Sequence, residues 1–357
     1  MRVLHVIPSL GGGGAEIQLV ILSAALRDIG VDIHIAHLHG GPNLEGAKLS
    51  GATLHPMAPM NHHDPRVFWQ LRNLVLRLQP TLVQTWLLNA DVFGGLAARW
   101  CKVPWLLSER SSQAMYGQGR KFRLRQWLAM SANMIVANSE GGLDYWRTAG
   151  FQGEGMVIRN IVGGKGVVGL NASDQPSGGS QRVVAVGRLS EEKNFSVLLD
   201  ALERLFKRWP CAQASILGEG PLRNMLAARI ASSPLLAGRV ELPGYVGDVT
   251  QRLADATLCV SLSRFEGTPN AVIEAVDVGC PLVLSDIPAH REWLSGDEAK
   301  WSPMDKSELV AQAMHEVLLD PGLSRQRLAP ARLRLRAWSP DRIAAQYFGA
   351  YKLLANQ

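Results

Sequence analysis

Only four cysteines occur in 357 residues, Cys101, Cys211, Cys259 and Cys280, and they are too widely spaced to form a disulfide framework or a metal-ligand cluster. They read as reduced, mostly buried thiols, which fits a cytosolic compartment. Charged residues make up 19% of the chain, too few for a disordered or coiled-coil protein. No stretch of 18 or more apolar residues occurs, so no membrane span is expected. The apolar run in MRVLHVIPSL is short and ends in glycines, so it reads as a first strand rather than a signal peptide. No Lys-Ser/Thr pair follows those glycines, which excludes a P-loop, and no acid placed to bind a ribose follows the second strand. A pI near 9.3 suggests nucleic acid, but no recognition motif accompanies it.

What the chain does hold is apolar residues (47%) and 35 glycines, a balance suited to packed α/β units with tight strand-to-helix turns. Short apolar runs at Val3–Pro8, Val31–Leu38, Leu82–Trp86, Pro104–Ser108, Met134–Asn138 and Met156–Arg159 alternate with helical periodicity, as at Ala15–Leu26 and Asp91–Arg99. Asn171–Ser180, NASDQPSGGS, has linker composition. The rhythm then restarts with strands at Arg182–Val186, Gln213–Leu217, Val240–Leu242, Leu258–Leu262 and Leu282–Ser285. Helices are expected at Phe195–Trp209, Leu222–Ala231, Val249–Ala254, Pro269–Val278 and, closing the chain, Asp341–Leu354. The reading is α/β: two doubly wound parallel-sheet domains, 1–170 and 171–338, and a closing helical segment, 339–357. Ligands are expected beyond the carboxyl ends of the strands, in the cleft that two such domains face. The excess positive charge lies in the first half, where residues 1–170 carry 16 Lys/Arg against 10 Asp/Glu while 171–357 carry 21 of each. Such an asymmetry attracts an anionic partner without choosing among nucleic acid, lipid and phosphorylated substrate.

Three segments carry chemistry. Gly11–Gly14 follow the first strand and open a helix, so backbone N–H groups can cradle a diphosphate, shape an acceptor pocket, or simply turn. In VAVGRLSEEKNF, Arg188 stands at a strand's end and Lys193 at a helix's start, a pair suited to a diphosphate unless Glu191 or Glu192 neutralises it. In SRFEGTPNAVIEAV, Gly267 allows a tight turn that presents backbone N–H groups and Glu266. Thr268 and Pro269 suit a helix cap and first position, Asn270 follows, and Glu274 interrupts an apolar helix. Glu266 is placed to accept from sugar hydroxyls and Glu274 from a ribose. Trp86, at a strand end, can stack on a sugar or pack in the core.

Together these residues resemble the retaining nucleotide-sugar glycosyltransferases of family 4, with the two-domain GT-B fold of Rossmann-like domains, over nearly the whole chain. Gly13, Gly14, Ala15 and Glu16 are similar to the family's GGxE loop, Arg188 and Lys193 to its phosphate-binding pair, and Glu266 and Glu274 to its Glu–seven residues–Glu motif. Gly218 in ILGEGPLR matches a glycine turn near the nucleotide, and Gly244 with the following YVGDV a loop against the base. VIRNIV, residues 157–162, resembles a hinge that reads IxNG in the family, with isoleucine in place of glycine. The resemblance implies catalytic roles for Glu266, Arg188 and Lys193, and a donor site of Gly13, Gly14, Arg188, Lys193, Gly218, Gly244, Glu266–Asn270 and Glu274. It also implies metal-independent hexosyl transfer from a UDP- or GDP-sugar to a glycan or polyprenyl-diphosphate-linked saccharide in bacterial surface-polysaccharide assembly, with no cofactor. One departure concerns the acceptor side. Where relatives carry an active-site His, this chain has Glu109 and Arg110; Arg110 can bind an acceptor phosphate or pair with Glu109, and with Trp86 these form the expected acceptor site. The rival enzyme reading is a GT-B-type nucleotide-sugar epimerase.

GRKFRLRQWLAMSANM, residues 119–134, interleaves Arg120, Lys121, Arg123 and Arg125 with Phe122 and Leu124 before Trp127 and Met130. It reads as a helix that docks on an anionic membrane surface, or as a solvated helix packed on its own domain. The expected location is cytoplasmic, peripheral on the inner face of the cytoplasmic membrane.

Overall fold

The computed structural model describes residues 1–60, 64–110, 119–163 and 181–356; the expected linker at 171–180 and the boundary at 170 lie outside them. Two compact units emerge, Met1–Gly164 with Trp338–Gln357, and Lys165–Ala337.

The first unit begins with β1 (Arg2–Ser9), α1 (Gly14–Asp28), β2 (Asp32–His39), α2 (Leu44–Leu49) and β3 (Thr53–Pro56). It continues through α3 (Arg66–Leu78), β4 (Leu82–Trp86), α4 (Leu88–Trp100), β5 (Trp105–Glu109) and α5 (Arg120–Ala129), then β6 (Met134–Ala137), α6 (Glu140–Thr148) and β7 (Glu154–Val157). The strands form one parallel sheet in the order β3-β2-β1-β4-β5-β6-β7. Because side chains alternate across a strand, Val3 and Ile7 of β1 face one helix layer while Leu4 and Val6 face the other. Both faces are covered, so the strands read as continuous apolar runs.

The second unit runs β8 (Arg182–Val186), α7 (Phe195–Arg208), β9 (Gln213–Leu217), α8 (Arg223–Ser232), β10 (Val240–Gly244), α9 (Val249–Ala254) and β11 (Leu258–Ser261). Then come α10 (Asn270–Val278), β12 (Leu282–Ser285), α11 (Pro288–Arg291), β13 (Lys300–Ser302), α12 (Ser307–Leu319) and α13 (Pro321–Leu335). Its parallel sheet is ordered β10-β9-β8-β11-β12-β13. α7 shows why the layer forms: Phe195, Leu198, Leu199, Leu202, Leu205 and Phe206 recur at three- and four-residue spacing and are all buried.

α14 (Pro340–Ala355) belongs to the first unit, where Ile343, Ala344, Tyr347, Ala350, Tyr351 and Leu354 pack among Leu19, Leu22 and Leu26 of α1. The Tyr351 hydroxyl donates to Gln84 Oε1 at 2.5 Å, and Gln84 Nε2 donates to Ser108 Oγ at 2.7 Å. These buried polar groups are thereby satisfied. The 157–162 segment is fixed by a side chain imitating a strand: Gln18 Nε2 donates to the Ile161 carbonyl and Ile161 N–H donates to Gln18 Oε1, at 3.0 and 2.7 Å.

The structure differs from the sequence reading in several places, including helices α2, α6 and α11 where none was expected and an α4 that starts at Leu88 rather than Asp91. β7 lies two residues earlier than the expected Met156–Arg159, α10 starts at Asn270, and the edge strands β3 and β13 appear with α3, α12 and α13.

Candidate functional site

In each sheet the strand order reverses at one place, between β1 and β4 and between β8 and β11, and the loops leaving those neighbouring strands diverge there. In the second unit this brings together residues far apart in sequence. Arg188 and Lys193 leave β8, Glu266 leaves β11, and Lys193 Nζ donates to Glu266 Oε1 at 2.5 Å. The pair is half-buried, with side-chain exposures of 20% and 13%. The Arg188 side chain is exposed and makes no hydrogen bond or ion pair among the described residues, while its carbonyl accepts from Ser190. The turn after β8 thus carries one cation paired with Glu266 and a second, Arg188, whose charge is not neutralised by an ion pair among the described residues. α7 and α10 begin at the same edge of the sheet, and neither has a side-chain cap, so their N-terminal dipoles act in the same sense.

Gly218 is explained by backbone packed on backbone, whereas a Cβ on Gly187 would meet the Lys193 side chain and one on Gly244 the Glu219 carboxylate. Gly187 N–H donates to the Leu217 carbonyl at 3.0 Å and Gly218 N–H to the Gly244 carbonyl at 2.8 Å. Gly218 has φ +141°, and a Cβ there would lie 2.0 Å from the Gly187 oxygen, so only glycine fits. Gly218, just after β9, thereby packs against the turn that carries Arg188, and its own N–H is held by the last residue of β10.

Glu266 is held from below. Ser263 Oγ donates to Glu266 Oε1 at 2.6 Å, Ser285 Oγ donates to the Ser263 carbonyl at 2.6 Å, and His290 Nδ1 donates to the Ser285 carbonyl at 2.8 Å. Burial holds the His290 pKa below its ordinary value, so the ring is neutral, with its proton on Nδ1. None of His290, Ser263 and Ser285 is singled out by the sequence, because nothing in their local pattern signals a place beneath Glu266. Thr268, expected as a cap, is instead buried in the turn, where its carbonyl accepts from Asn270 N–H at 2.9 Å, and Pro269 becomes the N-cap. Glu274 lies half-buried, just over one turn into α10.

In the first unit, Gly13 is the N-cap of α1 without a side-chain bond. Glu16 folds back over it, accepting from Ser9 Oγ at 3.2 Å, and a Cβ on Gly13 would lie 2.4 Å from Glu16 Oε2. Burial raises the Glu16 pKa. Gly13 therefore makes room for the chain's own carboxylate at the helix start.

Of the expected acceptor residues, Trp86 and Glu109 belong to the interior and Arg110 is half-buried. Trp86 is 0% exposed, its Nε1 donates to His5 Nδ1 at 3.1 Å, and the Arg110 guanidinium lies 4.3 Å from its ring centre. Sugar stacking on Trp86 is thereby corrected to core packing. Glu109 is also fully buried, accepting from Arg125 Nη2 at 3.0 Å and Trp146 Nε1 at 2.8 Å. Arg125 in turn donates from Nε to Asp91 Oδ2 at 2.6 Å. Expected on a membrane-facing surface, Arg125 is instead 3% exposed, because only a cation can compensate two buried carboxylates. Arg110 donates to Asn160 Oδ1 at 2.9 Å and to the Tyr347 hydroxyl, tying β5 to the 157–162 segment and to α14.

The fold defines the class. The structure aligns with Anabaena HepE in complex with UDP and glucose at a TM-score of 0.85, 19% identity and 99% coverage of both chains. The architecture is that of GT-B glycosyltransferases. Residues 12–162 match the family model described as Glycosyltransferase Family 4, and residues 180–320 match Glycosyl transferases group 1. The chain belongs to the family 4 glycosyltransferases. A lipopolysaccharide core biosynthesis glycosyltransferase, LpsE of Rhizobium meliloti, is 29% identical over 56% of this chain and 57% of its own length. A GDP-mannose-dependent α-(1-6)-phosphatidylinositol dimannoside mannosyltransferase of Mycobacterium tuberculosis is 29% identical over 44% of this chain and 40% of its own. The chain thus aligns with about half the length of these relatives.

Proposed function

We propose that the chain is a retaining glycosyltransferase that moves a hexosyl group from a UDP- or GDP-sugar to a glycan or polyprenyl-diphosphate-linked saccharide. In this reading it works in bacterial surface-polysaccharide assembly, peripheral on the cytoplasmic face of an anionic membrane. Residues 171–338 hold the donor and 1–170 the acceptor, with 339–357 closing back on the latter. The observation that carries the reading is the juxtaposition of unpaired Arg188 with the Lys193–Glu266 pair where β8 and β11 part. Arg188 and Lys193 neutralise the diphosphate as the bond to the sugar breaks. The acceptor hydroxyl attacks the face the diphosphate leaves and gives its proton to the departing phosphate oxygen. Glu266 orients the sugar hydroxyls, Glu274 holds the ribose, and Gly13, Gly14, Gly218, Gly244 and the Gly267–Asn270 turn bring backbone close to the donor. LpsE and the mannosyltransferase support a glycan or glycolipid acceptor, and HepE supports a UDP-sugar donor.

The test is a thermal-shift screen of UDP-, GDP-, ADP- and dTDP-sugars on the wild type and on R188A and K193A. One nucleotide class is expected to raise the melting temperature of wild type and to lose that effect in both variants. Isomerisation of a UDP-sugar without acceptor would replace transfer by epimerisation. Stabilisation that is the same in all three proteins would remove this site.

A further inference from the structure

Of ten tryptophans, the three that stand among the exposed large hydrophobic residues are Trp69, Trp100 and Trp127, at 53%, 62% and 71% exposure. They lie on α3, α4 and α5, which adjoin in one helix layer of the first unit. Trp69 and Trp100 meet edge to face with ring centres 6.5 Å apart, and Phe68 closes the cluster at 5.0 and 6.0 Å. Leu124 on α5 and Met130 at its C-cap flank Trp127 in sequence and are 46% and 36% exposed.

Charge sorts the same way. The one carboxylate within α3, α4 and α5 is Asp91, and it is buried with Arg125. Exposed cations accompany the aromatic rings: Arg77 on α3, Arg99 and Lys102 at the end of α4, and Arg120, Lys121 and Arg123 on α5. The opposite layer of the same sheet mixes signs, with Asp28, Glu45 and Asp341 beside Arg27, Lys48 and Lys352, and its helices carry no tryptophan. The one-signed surface ends at α6, where Glu140 and Asp144 are exposed.

We propose that the outer face of α3, α4 and α5 docks on a bilayer containing anionic lipid, with Trp69 and Trp100 seated at headgroup depth. Indole rings have an apolar body and a polar edge that suit that depth. Each nearby cation adds attraction to anionic headgroups, and no exposed carboxylate on the three helices opposes it. No helix of the described residues is long and apolar enough to cross a membrane, so the contact is reversible seating on one leaflet. The inference rests on the lipid-linked acceptor reading for its purpose, and it adds the α3–α4 aromatic cluster to the α5 cations.

The full chain is sedimented with phosphatidylglycerol–phosphatidylcholine vesicles and with phosphatidylcholine alone, and tryptophan quenching is measured with brominated lipid. W69S/W100S and R77Q/R99Q/K102Q are compared with wild type after matching their melting curves. These positions are exposed, and either variant alone decides the question. Selective binding to phosphatidylglycerol with indole quenching is expected, falling about ten-fold in either variant. Transfer to a soluble, lipid-free acceptor is expected to stay unchanged. Equal binding to both vesicle types, or undiminished binding by either variant, overturns docking. So does concentration-dependent self-association that W69S/W100S abolishes while vesicles are ignored. If docking follows the expected pattern but no nucleotide-sugar turns over, the docking face stands and the glycosyltransferase reading falls.

Discussion

The two units treat charge in opposite ways. In the second, Arg188 is unpaired and the Lys193–Glu266 pair is half-buried at the sheet's carboxyl edge. In the first, Arg125, Asp91 and Glu109 are sealed in the core, and Arg110 is tied to Asn160 and Tyr347. Similar residue types therefore differ in kind: one set meets solvent at the edge of a sheet and the other holds helices to a sheet. An ion pair in contact with solvent contributes little to stability, whereas a buried cation cannot be removed without exposing its partners to a low-dielectric medium.

The sharpest way to break this contrast is R125M. It leaves Asp91 and Glu109 buried without a cation, and a loss of about 3–5 kcal/mol is expected in urea unfolding. A loss below about 1 kcal/mol would make the buried cluster no different from a surface pair.

In the second unit the effects should fall on binding instead. R188A and K193A are each expected to weaken UDP or GDP binding by roughly 1.5–3 kcal/mol in calorimetry, with urea midpoints near that of wild type. Unfolding losses as large as that of R125M would place these residues in the scaffold. A smaller effect separates the two carboxylates. E274Q should weaken binding of bare nucleotide by about 1 kcal/mol, whereas E266Q should lower kcat for transfer and leave bare nucleotide binding close to wild type. The reverse pattern exchanges their roles.

The smallest effect is one of pH. Burial raises the Asp91 pKa from 3.8 to about 6, against the opposing pull of Arg125. Between those values the folded chain holds a proton that the unfolded chain has released, so this contribution to stability grows as pH falls through 6. Burial lowers His5 from 6.5 to about 3, with Arg110 adding to the shift, so its contribution shrinks as pH falls below 6.5. The two oppose each other between about pH 4 and 6. D91N removes the first, and urea midpoints at pH 7, 6 and 5 should then fall more steeply than in wild type. Parallel curves would show that Asp91 does not hold the proton.

The sequence was most legible where one local pattern decided the outcome. Leu82–Trp86, Arg182–Val186, Gln213–Leu217 and Leu282–Ser285 are short apolar runs buried on both faces, and their bounds agree with the structure. Arg188, Lys193 and Glu266 could be singled out because each follows a strand, although not the bond between Lys193 and Glu266. That bond depends on β8 and β11 being neighbours, a property of topology rather than spacing. Trp86, Glu109 and Arg125 were misplaced for a related reason. Arg125 lies 34 residues from Asp91 and 16 from Glu109, so its sequence neighbours suggest a solvated basic helix while its partners come from other elements. Edge strands such as β3 and β13 span only four and three residues and have one neighbour each, too little apolar length to stand out.

The seating of α14 against α1 sets an order of events during synthesis. The first unit leaves the ribosome first, but one face of its sheet lacks Tyr347, Tyr351 and Leu354 until the second unit has been made. At about 5–20 residues per second, residues 165–337 take roughly 10–35 s to add. For that interval Leu19, Leu22 and Leu26 are without their cover, and Gln84 is without the tyrosine hydroxyl that bonds it. The unit begun first is completed last, so a chain stalled or cut before residue 340 exposes a sticky apolar surface to holdase chaperones and proteases.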